Sequence, residues 1–257
     1  MKTDNIMLFV IDPQNDFMDD GALPVEGAKK DMERLGTFIS ENDRKIRRIG
    51  YSLDTHQPIS IFFSVWWTDQ DGQSPDPYTT ITYDDVMAGR WSPQFRPDET
   101  LACLSTLKSI MIWTDHCLQG TSGAAVEKNL YNSIIQHSRK NGFNPFVIEK
   151  GLDPISEMYG IVHPEYNPMN LFDQRMISEF QKYDEVLFAG EAASHCVLTS
   201  VKQVLVLFDQ ETVKPRFTIL TDCMSSIAGC ETETSDTFDR LGVKYGLRFM
   251  KSTDALS

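Results

Sequence analysis

The chain has 257 residues, 41% of them hydrophobic, which is enough for one sizeable core and at most a small appendage. A formal net charge of −13 gives a surface that repels polyphosphate and anionic headgroups, which excludes nucleic acid and membrane surfaces as expected partners. The five cysteines (Cys103, Cys117, Cys196, Cys223 and Cys230) form no CxxC pair, and such an odd, dispersed set suits a reduced cytoplasmic protein rather than a disulfide scaffold.

Ile6 to Ile11 is a continuous apolar run, too short for a signal core or a membrane span. It predicts a central parallel strand buried on both faces. The run delivers Asp12-Pro-Gln-Asn-Asp-Phe17, and a carboxylate at a strand's C-terminal end stands where α/β proteins place chemistry. After a turn-rich stretch from Gly21, residues 28–40 predict a helix with Met32, Leu35 and Ile39 on one face. Arg48 to Leu53 predicts the second strand, closing on Asp54-Thr-His56. In an extended segment residues i and i+2 point the same way, so Asp54 and His56 can converge on one metal ion; taken alone, that spacing more often marks a polar strand end.

Ile61 to Trp67 predicts a third, shorter extended segment. From Thr68 to about Pro97 the composition turns acidic and Gly/Pro-rich, which predicts an irregular insertion, either a lid over the working edge of the sheet or a plain surface loop. The apolar Ser109 to Trp113 leads into Thr114-Asp-His116-Cys-Leu-Gln-Gly-Thr-Ser-Gly123, followed by a helix from about Ala124 to Lys140. That Gly-rich turn lacks phosphate-loop spacing and its lysine, so a nucleotide site is set aside. Pro145 to Glu149 predicts a strand ending at Lys150-Gly151, and Leu171 to Lys182 an amphipathic helix. Tyr183 to Ala189 reads as a buried strand and Val197 to Phe208 as a helix, with Cys196 at the turn between them. Free backbone N–H groups and the positive dipole end at such a turn favour a thiolate, whereas an isolated buried cysteine usually only packs. Arg216 to Leu220, Ile227 to Leu241 and Tyr245 to Met250 complete a strand–helix–strand series. Strands alternating with helices predict a single three-layer α/β/α domain over 1–257 with a mostly parallel central sheet.

Asp12, Lys150 and Cys196 each follow a predicted strand, so all three gather at one edge of the sheet. Together they can hydrolyse an amide. The carboxylate takes the thiol proton, the ammonium holds the charges in place, and the thiolate forms an acyl-enzyme that water cleaves. Backbone N–H groups at the cysteine turn would stabilise the oxyanion.

At these residues the chain resembles the isochorismatase-like cysteine hydrolases, and within them the nicotinamidase branch. Asp12 to Phe17 is similar to the family's Asp-x-Gln-x-Asp-Phe, and Gly21 to Ala28 to its Gly-x-Leu-x-Val-x-Gly-Ala. Trp113 to Gly123 resembles its Trp-Pro-x-His-Cys-Val-x-Gly-Thr-x-Gly, and Lys150-Gly151 its lysine stretch. Gly190 to Val197 resembles the Gly-x-Ala-x-x-x-Cys-Val nucleophile turn, and Leu220-Thr-Asp222 the late strand. The resemblance implies a catalytic triad of Asp12, Lys150 and Cys196, with an oxyanion hole from the N–H groups of Ala192 and Cys196. It also implies a cis peptide between Glu191 and Ala192. A divalent metal (zinc first, iron or manganese as alternatives) would be held by Asp54, His56 and His116, and Phe17 and Trp113 would sandwich an aromatic ring. The implied substrate is a small-molecule amide, nicotinamide first and another small amide or carbamoyl compound second, turned over by a homo-oligomer. A non-catalytic binding protein is the third reading.

The sequence also departs from the family. Ser60 stands near the place of a further histidine, Thr114 replaces a proline, and Ala193-Ser194 replaces Thr-Asp. With Ser60 there, either three protein ligands plus water make an open metal site, or the acidic insertion contributes a ligand from Asp69 or Asp71. Cys196 together with Asp54 and His56 argues against an isochorismatase proper. His195 either shapes the pocket or is an ordinary helix-end histidine, and His137 and His163 carry no signal.

Overall fold

The computed structural model describes residues 5–256, so the ends of the expected 1–257 domain lie outside the described residues. The first half holds β1 (Ile6–Ile11), α1 (Ala28–Glu41), β2 (Ile46–Asp54), β3 (Trp67–Thr68), β4 (Thr80–Thr82), α2 (Tyr83–Met87), β5 (Ser92–Pro93), α3 (Pro97–Leu107) and β6 (Ser109–Met111). The second half holds α4 (Lys128–Asn141), β7 (Phe146–Lys150), α5 (Arg175–Phe180), β8 (Glu185–Gly190), α6 (Leu198–Asp209), β9 (Arg216–Leu220), α7 (Glu231–Tyr245) and β10 (Arg248–Met250).

Six strands form the central sheet in the order β10-β9-β8-β1-β2-β7, every pair parallel. The expected three-layer α/β/α architecture is the one observed. All six residues of β1 are buried, and their alternation splits them between two cores. Ile6, Leu8 and Val10 join the core beneath α1 and α4, while Met7, Phe9 and Ile11 join the one beneath α6 and α7. Phe9 meets Phe146, Phe180 and Phe188 with ring centroids 5.4–6.4 Å apart, so truncating it to alanine would cost about 3–5 kcal/mol. The C-terminal ends of β8, β1, β2 and β7 lie side by side on both sides of the point where the strand order reverses, which is where an open parallel sheet leaves its crevice.

Three expectations need correction. Ile61 to Trp67 is not one extended segment; it curls through a 3-10 turn at Ser64–Trp66 and enters β3 only at Trp67, whose indole donates to the Ile61 carbonyl at 2.6 Å. Its apolar side chains other than Val65 are buried, a pattern that a continuous hydrophobic run shares with a buried strand. The 68–97 insertion is more ordered than expected. β3 pairs with β5 and β4 with β6, each antiparallel, and α2 starts on a capping box between Thr82 and Asp85. Helix bounds also move: α4 begins at Lys128 rather than Ala124, and α5 covers only Arg175–Phe180 of the expected 171–182.

Candidate active site

Asp12 follows β1 with a positive φ of 42°, a strained conformation for a residue with a side chain and one that clusters at functional sites. Its Oδ1 accepts from the Ser52 hydroxyl at 2.6 Å, and its own N–H donates back to Ser52 Oγ at 3.0 Å. Oδ2 pairs with Lys150 Nζ at 2.9 Å, which leaves a further lone pair on that oxygen for a proton. Lys150, the last residue of β7, is 1% exposed. Its Nζ also donates to Asp54 Oδ1 at 3.0 Å and to the Met158 carbonyl at 2.8 Å, and lies 3.7 Å from Cys196 Sγ. Burial favours the neutral amine, but Asp12 and Asp54 overcome it and hold Lys150 well above the usual lysine range.

Cys196 sits in the tight turn Ala193–Val197 that leads into α6. The Ala192 carbonyl accepts from the N–H groups of His195 and Val197, each at 3.1 Å, which folds Cys196 back over Ala192. The peptide joining Glu191 to Ala192 is cis. One expectation fails: the thiol is not shifted down. Burial raises it well above the usual cysteine range, and Asp12 and Asp54 add to that while Lys150 opposes it. A helix end lowers a thiol pKa only where burial and nearby carboxylates do not outweigh it. Those surroundings favour the neutral thiol, so an attack through its sulfur would call for a proton acceptor. Asp12 suits that task, since burial raises its carboxyl against the pull of Lys150.

Asp54, His56 and His116 are all buried, and their ligand atoms lie within 4.8 Å of one another. Asp54 Oδ2 is 2.8 Å from His56 Nε2 and 3.3 Å from His116 Nε2. The outer nitrogens are occupied: His56 Nδ1 donates to the Gly151 carbonyl (3.2 Å) and His116 Nδ1 to that of Thr114 (2.8 Å). Three lone pairs therefore converge on one point, a donor set that fits a divalent cation, with the second-shell carbonyls fixing both tautomers. Burial would lower the His56 pKa, but the adjacent Asp54 carboxylate brings it up to about 8. Burial would raise Asp54, yet His56, Lys150 and His116 hold it well below the carboxylate range. Gly151 is required here, because a Cβ on it would meet His56 Cε1 at 2.8 Å and Asp54 Oδ1 at 2.9 Å. Asp69 does not join the group; its carboxylate accepts from the N–H groups of Asp71 and Gln73 within its own turn, and both aspartates stay outside the ligand cluster.

The rest of the Asp12 to Phe17 stretch supports these groups. Gln14 clamps the Asp54 backbone from both sides, accepting from its N–H at 2.7 Å and donating to its carbonyl at 2.6 Å. Asp16 accepts from the Cys117 N–H at 2.6 Å and so fixes the His116 loop; a Cβ on Gly123 would sit 2.1 Å from that carboxylate. Phe17 packs edge-on against His116 at 5.6 Å. Trp113 meets Tyr159 (6.5 Å), His195 (5.7 Å) and, from the insertion, Tyr78 (6.1 Å). Its indole N–H donates to the Tyr159 hydroxyl at 3.1 Å. A cavity of about 200 Å³ opens beside this group, walled by Ile61, Phe62, Ile110, Met111, Glu157 and Tyr159.

The structure thus brings together Asp12, Lys150, Cys196, Asp54, His56 and His116, and sets Phe17 and Trp113 around them. Sequence reading missed Ser52, Gln14, Glu157 and Tyr159. The last two lie seven and nine residues after Lys150, in the stretch that carried the lysine, and their signal was their proximity to it.

No protein-family model matches the chain, and no curated protein matches it in sequence. Solved structures do. The yeast nicotinamidase Pnc1p bound to the inhibitor nicotinaldehyde has a TM-score of 0.67 at 22% identity, over 96% of this chain and 99% of that one. A nicotinamidase/pyrazinamidase from Acinetobacter baumanii gives 0.69 at 19% identity, over the whole of both chains. A pyrazinamidase of Pyrococcus horikoshii in complex with zinc gives 0.57 at 18%, over 96% and 99%. The likeness shows that this chain has the isochorismatase-like α/β fold.

Proposed function

We propose that this protein is a metal-containing cysteine amidohydrolase that converts nicotinamide and water to nicotinate and ammonia. The observation that carries the reading is the buried contact of Lys150 with Asp12, Asp54 and Cys196 beside a three-ligand cation site. The likeness to nicotinamidases across nearly the full chain supports the substrate.

In this reading Asp12 removes the Cys196 proton as sulfur attacks the amide carbonyl, and Lys150 balances the negative charge that gathers there. The oxyanion of the tetrahedral intermediate points at the N–H groups of Ala192 and Cys196. Asp12 returns its proton to the departing ammonia, leaving a thioester. It then takes a proton from water, whose oxygen releases nicotinate and restores the thiol. Phe17, Trp113 and Tyr159 hold the ring in place. A divalent cation on Asp54, His56 and His116, zinc by preference, would supply a Lewis-acid contact for a ring nitrogen or a water beside it.

Ammonia release from nicotinamide by purified, zinc-supplemented protein is the test. The expected result is turnover that Cys196→Ala abolishes. No release at any nicotinamide concentration overturns the substrate assignment, and a panel of other small amides then decides whether the hydrolase class stands.

A further inference from the structure

Directly before the oxyanion turn lies a second acidic cluster that the mechanism does not use. Glu191 is fully buried, and its Oε1 has no hydrogen-bond partner. Asp31, on the buried face of α1, is 3% exposed and lies within hydrogen-bonding reach of the Glu191 carboxyl. Ser225 joins the two. Its N–H donates to Glu191 Oε2 at 3.2 Å, its hydroxyl donates to Asp31 Oδ2, and its carbonyl accepts from the Ala193 N–H at 2.8 Å. Among the described residues the cation in contact is Arg34, 2.6 Å from Asp31 Oδ1 and also bonded to the Asp222 carbonyl; Asp19, from the turn before α1, adds further negative charge.

Two carboxylates cannot both stay ionised in such a place. Burial raises Asp31 too, but the Ser225 hydroxyl and Arg34 donate to it and oppose that rise, so it is the member that keeps its charge. Glu191 has one backbone donor and an orphaned oxygen, and a proton on that oxygen turns an unsatisfied acceptor into a donor toward Asp31. Burial and the Asp31 charge both push Glu191 in that direction.

We propose that Glu191 is a positioning residue held as a neutral carboxylic acid, which, by donating to Asp31, latches the Ala192–Cys196 turn to α1. The role in turnover rests on the hydrolase reading; the protonation state does not. The acid fixes where the Ala192 and Cys196 N–H groups point, and so acts on the transition state rather than on substrate affinity.

The infrared difference spectrum of wild type minus Glu191→Gln at neutral pH is expected to show one neutral carboxyl band. Its absence overturns the proposal, and this arm needs only the isosteric variant. In turnover, Glu191→Gln is expected to keep kcat within about threefold, since the amide can still donate, while Glu191→Leu loses about tenfold or more in kcat with KM little changed. A folded Glu191→Leu variant with wild-type kcat overturns the latch. Alkylation of Cys196 by iodoacetamide gives the same comparison without substrate: a changed rate in Glu191→Leu alone supports the latch, and equal rates in all three proteins sink it. A wild type inactive on nicotinamide would defeat the substrate reading while the infrared and alkylation arms still decide this one.

Discussion

Lys150 and Asp54 form an ion pair with Nζ 3.0 Å from Oδ1 and both side chains almost fully buried. Because the other Asp54 oxygen faces His56 and His116, a single carboxylate joins the candidate triad to the candidate cation site. Each cluster therefore feels a change of charge in the other.

Replacing the shared ammonium tests this coupling. Lys150→Met leaves Asp12 and Asp54 facing each other without a cation inside the protein, and should destabilise the fold by about 3–5 kcal/mol as well as stop turnover. Adding Asp12→Asn should restore part of the stability and none of the activity. Urea denaturation of the three proteins checks it, and an undiminished midpoint for the single variant would contradict the geometry.

Cys196→Ala removes a small group from a turn held by backbone hydrogen bonds, so unfolding should shift little. Turnover should fall by about 10⁴-fold or more, because the variant lacks the sulfur proposed to form the acyl intermediate. Thermal scans and ammonia assays on the same preparation separate the two effects.

Chelator-treated protein should bind one equivalent of zinc and gain stability on doing so. At a free concentration 100 times the dissociation constant the gain is about 2.7 kcal/mol. His116→Ala should abolish that gain under the same conditions. Elemental analysis with calorimetry measures both, and an unchanged zinc response in the variant would exclude the assigned ligands.

His137 on α4 gives a pH dependence separate from catalysis. Its Nε2 hydrogen donates to the Ile46 carbonyl at 2.8 Å, and burial pushes its pKa below the ordinary value of 6.5. With the folded value depressed, its contribution is fully present above about pH 6.5 and is lost as pH falls through the folded pKa. Wild type should lose more stability between about pH 7 and pH 5 than His137→Gln, which cannot titrate. Parallel slopes in denaturant melts would refute this.

Tyr159→Phe deletes the acceptor for the Trp113 indole N–H. The expected effect is a KM raised about 3- to 10-fold, from a bond worth roughly 1 kcal/mol, with kcat little altered. A loss confined to kcat would place Tyr159 in the chemistry instead.

The site groups at strand ends were the legible part of this sequence. β1 was read at its observed bounds because a six-residue apolar run between polar residues has few other solutions. Asp12, Lys150 and Cys196 could be placed together because parallel strands all end at the same edge. Ser52, Gln14 and the Asp54–Lys150 pair were not legible, since they depend on register between β1, β2 and β7, which no local pattern states. The thiol shift was misread for a related reason: a helix end is a local feature, whereas the burial that outweighs it comes from packing against other strands, with the Asp12 and Asp54 carboxylates adding to it. Ile61 to Trp67 misled because a run buried at every apolar position but Val65 reads the same in a curled segment and in an extended one. Among the described residues no helix is long and apolar enough to cross a membrane, in line with the short apolar runs.

The segment between β2 and α4 builds the cavity wall at Ile61, Phe62, Ile110 and Met111, and brings Tyr78 against Trp113. The proposed acid, amine and sulfur, Asp12, Lys150 and Cys196, come from elsewhere, at the ends of β1, β7 and β8. With His56, His116 and Trp113 held fixed, natural lineages or a directed-evolution library could thus reshape that wall by rewriting the rest of this one stretch, leaving Asp12, Lys150 and Cys196 as inherited.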